Sequence, residues 1–162
     1  MQPLINKRFQ MSLETRVSIA EAEQLVKEAF LRNGVKEAVA ESVSNALVAA
    51  EAEGQVGHGF SRVKDYLAQV KSKKINVDAK IKIESPKPTS ISIDADYGFA
   101  YPALDQAISE GALIAKEYGS AIVSIFNSHH CGALSVQVEK IAKQGLIGVM
   151  MANTPKAIAP WG

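Results

Sequence analysis

Ile122-Val-Ser-Ile-Phe-Asn-Ser-His-His-Cys-Gly132 is the stretch around which the other predicted elements of this chain are arranged. Its apolar, β-branched beginning, residues 121–126, predicts a buried strand. The strand runs into a polar cluster that holds two of the three histidines and the single cysteine. A strand end fixes such side chains at a crevice, and we expect a helix over about 133–144 to follow. The third histidine, in Gly57-His58-Gly59, is expected to meet this stretch in one site.

Three helices are predicted upstream of this stretch. Ser18-Ile-Ala-Glu21 has the spacing of a capping box, and apolar residues recur at helical spacing after it. This first helix should end at Asn33-Gly34, and a second should run from about Lys36 to Glu53. A third is predicted over Ser61 to Val70. The first two should pair as a helical hairpin that presents residues 57–59 at its far end.

The hydrophobic period changes from helical to strand-like after the third helix. Isoleucines alternate with polar residues over 81–83 and 91–93, which predicts two half-buried strands. Pro86 and Pro88 should mark the turn between them. A last strand is predicted over 146–152, apolar on both faces and therefore covered on both sides.

These elements suggest three regions. Residues 1–15 are predicted to be a flexible arm, and residues 16–75 a helical region. Residues 76–162 should form the first part of a sheet-containing domain, with a helix from about Pro102 to Gly119. We expect this domain to be truncated, because its last predicted strand is followed only by a polar loop.

Composition narrows the class of partners. The chain has 162 residues, of which 47% are hydrophobic and 22% charged, as in a soluble globular protein. A net charge of +1 gives no reason to expect nucleic acid or an anionic membrane as partner. No apolar run reaches the roughly 18 residues of a membrane span. One cysteine cannot form an internal disulfide, which favours a reducing, cytoplasmic location.

Two groups of residues could carry chemistry, and each also has a plain structural interpretation. His58 and Arg62 lie four apart at the predicted start of the third helix, which suits an anion such as a carboxylate; the alternative is a surface arginine beside a loop histidine. His129-His130-Cys131 could hold a general acid/base, a metal site shared with His58, or a histidine bonded to backbone. Neighbours on an extended chain point in opposite directions, so at most one of the two histidines should face the crevice.

Residue patterns alone do not supply a cofactor. There is no G-x-G-x-x-G motif after a strand and no G-x-x-x-x-G-K-[ST] motif. Gly57 and Gly59 follow a predicted helix, where a dinucleotide loop would follow a strand. A Rossmann fold is therefore not indicated.

Three motifs nevertheless occur in a recognisable order. Gly54-Gln-Val-Gly-His-Gly-Phe-Ser-Arg62 resembles an H-G-x-x-R motif, and Asn127-Ser-His-His-Cys-Gly-Ala133 resembles S-x-H-[FC]-G. Asn153-Thr-Pro-Lys-Ala-Ile-Ala-Pro-Trp-Gly162 resembles N-[ST]-P-x-A-x-A-P-W-G. Together they resemble the malate/L-lactate dehydrogenase family of the non-Rossmann type, which includes sulfolactate and ureidoglycolate dehydrogenases and Δ1-piperideine-2-carboxylate reductases. The resemblance runs from about residue 16 to residue 162.

The resemblance implies a fold and a function. It implies an N-terminal helical region followed by a mixed, largely antiparallel sheet with flanking helices, in a homodimer that uses NAD or NADP. His130 would be the catalytic acid/base, and His58 and Arg62 would hold the substrate carboxylate with Tyr66 nearby. The positions that would lie near the nucleotide are Gly132, Ala133 and Asn153.

Two departures from the family pattern bear on the substrate. Many members have Ser where this chain has Gly57, which removes a hydroxyl from the pocket, and ureidoglycolate dehydrogenases have Asp where Pro155 stands. The leading hypothesis is an NAD(P)-dependent oxidoreductase for a 2-hydroxy acid or a cyclic imino acid. The alternatives are an inactive N-terminal fragment that dimerises or binds a carboxylate, and a metal-binding module built on His58, His130 and Cys131.

Overall fold

A computed structural model describes residues 16–153 as a helical layer joined to a small sheet. The elements in this range are α1 (Ile19–Leu31), α2 (Glu37–Ala52), α3 (Ser61–Lys71), β1 (Lys82–Lys87), β2 (Ser90–Asp94), α4 (Ala100–Tyr118), β3 (Ile122–Phe126) and α5 (Leu134–Ala142). The predicted helices are all confirmed, with ends shifted by a residue or two. The predicted arm, Pro155 and most of the third motif lie outside the described residues. Within the described range no helix is long and apolar enough to cross a membrane.

The helical hairpin forms as predicted. The capping box at the start of α1 is complete: the Glu21 N–H donates to Ser18 Oγ (3.2 Å), and the Ser18 N–H donates to the Glu21 carboxylate (2.8 Å). Phe30 of α1 and Leu47 of α2 are fully buried between the helices, and burial of each stabilises the fold by about 1.5–3 kcal/mol. Phe30 also meets the Phe99 ring edge-on at 5.7 Å, which joins the hairpin to the region before α4.

The sheet is mixed. Its order is β1-β2-β3, with an antiparallel pair between β1 and β2 and a parallel pair between β2 and β3. α4 connects the parallel strands and packs on them, which buries Ile91 and Ile93 of β2. β3 forms where predicted, but the prediction that it is buried is wrong, because Ile122 and Phe126 at its ends are 73% and 48% exposed. Gly119 ends α4 in the left-handed conformation (φ +88°), as its predicted role as a stop requires.

Two predictions about β1 are wrong. All its residues are exposed, including Ile83, so the half-buried pattern is confirmed for β2 only. Pro88 lies in the turn at residues 88–89 as predicted, whereas Pro86 lies inside β1 next to an irregularity between Glu84 and Lys87. A proline has no N–H for the ladder, and an edge strand with a bulge tolerates it.

The predicted strand over 146–152 is also wrong. This segment has no ladder partner within residues 16–153. Ile147, Val149 and Met151 are 98%, 82% and 87% exposed, whereas Met150 packs against the core. The apolar run is present, but a strand exists only where a neighbouring strand accepts its hydrogen bonds. The division into regions at residue 75 stays a prediction.

Candidate functional site

Two loops meet at a pair of histidines. His58 comes from the loop between α2 and α3, and His130 from the loop between β3 and α5. Their rings stack with centroids 5.5 Å apart and an interplanar angle of 14°. We call His58 and His130 the histidine pair; its formation confirms that the two stretches meet.

The neighbouring histidine points elsewhere. The His129 ring bonds through Nε2 to the Lys74 carbonyl oxygen at 2.9 Å. Because a carbonyl oxygen only accepts, His129 Nε2 carries the proton. His130 instead faces α3 and α4, so the expectation that only one of the two faces the crevice is confirmed.

Two buried tyrosines stand behind His130. The Tyr66 hydroxyl lies 2.8 Å from His130 Nδ1, and the Tyr101 hydroxyl lies 3.0 Å from that of Tyr66. The Gly132 N–H also donates to Nδ1, at 3.2 Å. Tyr66 and Tyr101 are 2% and 1% exposed, so the two tyrosines of this hydroxyl chain of Tyr101, Tyr66 and His130 are shielded from water, whereas His130 is exposed at its outer end. Tyr66 thus bonds the inner edge of His130, on the side away from solvent.

The environment keeps the tyrosines neutral and disfavours a charged histidine. Burial raises the pKa of Tyr66 to about 12 and raises that of Tyr101 further above its ordinary value. The pKa of His130 is lowered, chiefly by burial and then by the positive charges of Arg62 and His58. At neutral pH the site therefore holds two protonated hydroxyls and a mostly neutral imidazole.

Arg62 lies beside the histidine pair with part of its guanidinium engaged. Its Nε donates to the Gly57 carbonyl oxygen at 2.6 Å, which fixes the side chain against the loop that carries His58. Its Nη1 lies 3.7 Å from the Asp65 carboxylate, an ion pair too long for a hydrogen bond. The guanidinium has five N–H donors, so donors remain for a further acceptor.

The start of α3 is already capped by a carboxylate. The Phe60 N–H donates to Glu51 Oε2 at 2.8 Å, and a Cβ at Gly59 would overlap Glu51. The sequence interpretation assigned this helix start to a bound anion and missed Glu51. An anion at this site would therefore bind chiefly to the Arg62 and His58 side chains. The N–H groups at the start of α3 contribute less, because the Glu51 carboxylate already occupies that position.

The structure brings two of the three expected nucleotide positions to the site. Gly132 is buried with φ +69°, and a Cβ there would meet the Tyr101 hydroxyl. Ala133 is buried and begins α5 with no side-chain cap on the helix. Asn153 is exposed at the last described position, and its role stays a prediction.

A metal site is not supported by the arrangement of side chains. Within residues 16–153 no three His, Cys, Asp or Glu side chains are grouped so that they could hold one ion. The two rings of the histidine pair lie nearly parallel, at an interplanar angle of 14°. Cys131 is half-buried against the core, and burial raises the pKa of its thiol. It behaves as the small packing residue that the sequence indicates.

The chain resembles several known proteins in sequence and in fold. The sequence pattern of the family described as malate/L-lactate dehydrogenase matches residues 17–162. The chain is 38% identical to the (2R)-3-sulfolactate dehydrogenase (NADP(+)) of Chromohalobacter salexigens, over 90% of this chain and 44% of that protein. It is 28% identical to ureidoglycolate dehydrogenase (NAD(+)) of Escherichia coli K12, over 91% of this chain and 42% of that protein.

A solved structure shows the same fold. The crystal structure of Δ1-piperideine-2-carboxylate reductase from Pseudomonas syringae superposes with a TM-score of 0.78 at 32% identity, over 82% of this chain and 40% of that one. The chain spans less than half the length of these relatives. Since the family pattern includes both loops of the histidine pair and the fold is shared, this chain belongs to the malate/L-lactate dehydrogenase family.

Proposed function

We propose that this chain forms the substrate-binding and proton-transferring part of an NAD(P)-dependent oxidoreductase. Its reaction interconverts a 2-hydroxy acid and its 2-oxo acid, of the malate, lactate or sulfolactate type, or reduces a cyclic imino acid. The observation that carries the proposal is the stacking of His130 on His58 beside Arg62. The names of the relatives support a carboxylate-bearing substrate: sulfolactate, ureidoglycolate and piperideine-2-carboxylate.

Arg62 and His58 bind the substrate carboxylate in this proposal. The Nε of Arg62 is occupied by Gly57, which holds the planar guanidinium in one orientation. Its remaining N–H donors can take a carboxylate in a fork, a geometry that a lysine ammonium does not provide. His58 supplies a second polar group on the same side, because its ring lies flat against that of His130.

His130 exchanges the proton. When the carbonyl or imine carbon is reduced, the substrate oxygen or nitrogen gains one proton, and Nε2 is the ring nitrogen that the hydroxyl chain leaves for it. In the oxidative direction Nε2 takes the proton back, for which the ring proton must be on Nδ1 so that Nε2 has a free lone pair. Because the pKa of His130 is lowered, its imidazolium gives up the proton more readily than an ordinary histidine does.

The loop after His130 fits part of a nicotinamide dinucleotide. Gly132 and Ala133 lead directly into α5, which begins without a side-chain cap on its N–H groups, so these groups are available to a phosphate. Bound NADH or NADPH would supply the hydride. We assign Gly132, Ala133 and Asn153 to its contacts, and the choice between NAD and NADP is an outcome of the test.

A second candidate is an inactive fragment that acts in dimerisation or carboxylate binding. One observation favours it: Ile147, Val149 and Met151 form an exposed apolar row, a kind of surface that drives association. We propose that this row contributes to a homodimer. The single cysteine favours a cytoplasmic location, and the near-zero net charge gives no support for a nucleic-acid or membrane partner.

The test uses a fusion protein in which residues 16–162 replace the matching part of the Chromohalobacter sulfolactate dehydrogenase, and measures its reduction of substrate. We expect it to oxidise NADH or NADPH with a 2-oxo acid or a cyclic imino acid. In this fusion His130→Ala should lower kcat by about 10²–10⁴-fold, the contribution of a lost general acid/base. His129→Ala is the matched control and should change kcat much less, since His129 bonds to the Lys74 carbonyl away from the site. Near-normal turnover of the His130 variant would remove it from the mechanism.

A further inference from the structure

We infer that Tyr101 is a positioning residue that fixes the proton of neutral His130 on Nε2. It acts through Tyr66 and touches neither substrate nor cofactor. The catalytic meaning of this assignment depends on the proposed function, but the location of the proton and its test do not.

Nδ1 of His130 is an acceptor. The Gly132 N–H points at it from 3.2 Å, and a backbone N–H can only donate. A proton on Nδ1 would face that N–H. The Tyr66 hydroxyl, 2.8 Å away, therefore also donates to Nδ1, and the one proton of the neutral ring is on Nε2.

The direction of the next bond follows. Tyr66 has one O–H, which is used on His130, so at 3.0 Å it accepts from Tyr101. Tyr101 is 1% exposed, and Tyr66 is the only hydrogen-bond partner of its hydroxyl within residues 16–153. If the bond were reversed, the Tyr101 proton would be buried without an acceptor, which is costly. Burial of Tyr101 thus sets the orientation of both hydroxyls.

The consequence is a histidine held as a donor toward the open side of the site. To place a proton on Nδ1, both hydroxyls must reverse, and the Tyr101 O–H must lose its only acceptor. The other charged or titratable groups that face His130 do not oppose its neutral form. His58 and Arg62 disfavour the imidazolium, and the Cys131 thiol is protonated and therefore uncharged. A substrate carbonyl that enters beside His58 would meet the Nε2–H.

The test is the tautomer of His130 in the 162-residue chain, read from long-range ¹H–¹⁵N spectra with ¹⁵N-labelled histidine. We expect the Nε2–H form for His130. His129, whose Nε2 must donate to Lys74, is an internal reference for that form. Tyr101→Phe should raise the ratio of Nδ1–H to Nε2–H at His130 about fivefold, the factor that one net hydrogen bond gives. Tyr97→Phe, at a 61% exposed tyrosine, is the matched control and should leave the ratio unchanged.

Two results would overturn the assignment. The first is an Nδ1–H tautomer in the wild-type chain. The second is an unchanged ratio in Tyr101→Phe while the His129 signal shows that the fold is retained. If that variant does not fold, Tyr66→Phe removes the donor to Nδ1 directly and should raise the same ratio; an unchanged ratio there also contradicts the assignment. An inactive fusion with the expected tautomers would refute the proposed function and leave the assignment standing.

Discussion

Gly132→Ala probes the tightest point behind His130. Gly132 has φ +69°, where an L-residue costs about 1–2 kcal/mol, and a Cβ there would lie 2.6 Å from the Tyr101 hydroxyl and 3.0 Å from its ring. Tyr101 is buried and has no room to withdraw, so overpacking adds about 1–3 kcal/mol. The expected loss in the free energy of unfolding is the sum of the two terms.

Gly119→Ala separates the two terms. Gly119 has φ +88°, but a Cβ there would meet nothing within 4 Å, so only the backbone term applies. Urea unfolding of the 162-residue chain, followed by circular dichroism at one protein concentration, gives both values. We expect Gly132→Ala to lose about 1–3 kcal/mol more than Gly119→Ala. Equal losses would show that Gly132 is not packed against Tyr101 as described.

Three further predictions concern charge and association. The free energy of unfolding should fall as pH drops below about 6.5, because the pKa of His130 is lowered in the folded chain and the unfolded chain therefore binds a proton more readily. His130→Gln should reduce this fall, and a variant with the same pH profile as the wild type would contradict the prediction. In the fusion, Arg62→Lys should raise KM for acidic substrates and not for uncharged analogues, and an equal rise for both would exclude the carboxylate role. The 162-residue chain alone should sediment as a dimer or larger species and lack dehydrogenase activity, and a stable monomer or NAD(P)H oxidation would refute this.

The helices could be predicted because each carries its own signal. The capping box at Ser18, the apolar faces at helical spacing and the stop at Gly119 are local features, and the structure retains them. Burial of a strand is not local. Ile83 and Ile93 stand in the same alternating pattern, but α4 packs on the strand of Ile93, and Ile83 is left exposed. The row at 147–151 likewise has the pattern of a strand without a neighbour to pair with.

The sequence predicts those polar residues of the site whose neighbours in the chain mark them as candidates. His58 and His130 follow glycines or a strand end, which singled them out. Tyr101 lies in the first turn of α4, where an aromatic residue indicates core packing, and only the fold places its hydroxyl 3.0 Å from that of Tyr66. Glu51 was missed for the same reason: its contact with the Phe60 N–H joins the end of one helix to the start of the next.

The proposed function requires that Arg62 and the histidine pair bind the carboxylate of a 2-oxo acid. Titration of the ¹⁵N-histidine-labelled 162-residue chain with pyruvate, and separately with uncharged pyruvamide, tests it most directly. We expect saturable shifts of the His58 and His130 signals with pyruvate, which pyruvamide does not produce and Arg62→Lys weakens, while the His129 signal does not shift. Signals of the histidine pair that do not move with pyruvate, or that move equally with pyruvamide, would contradict it.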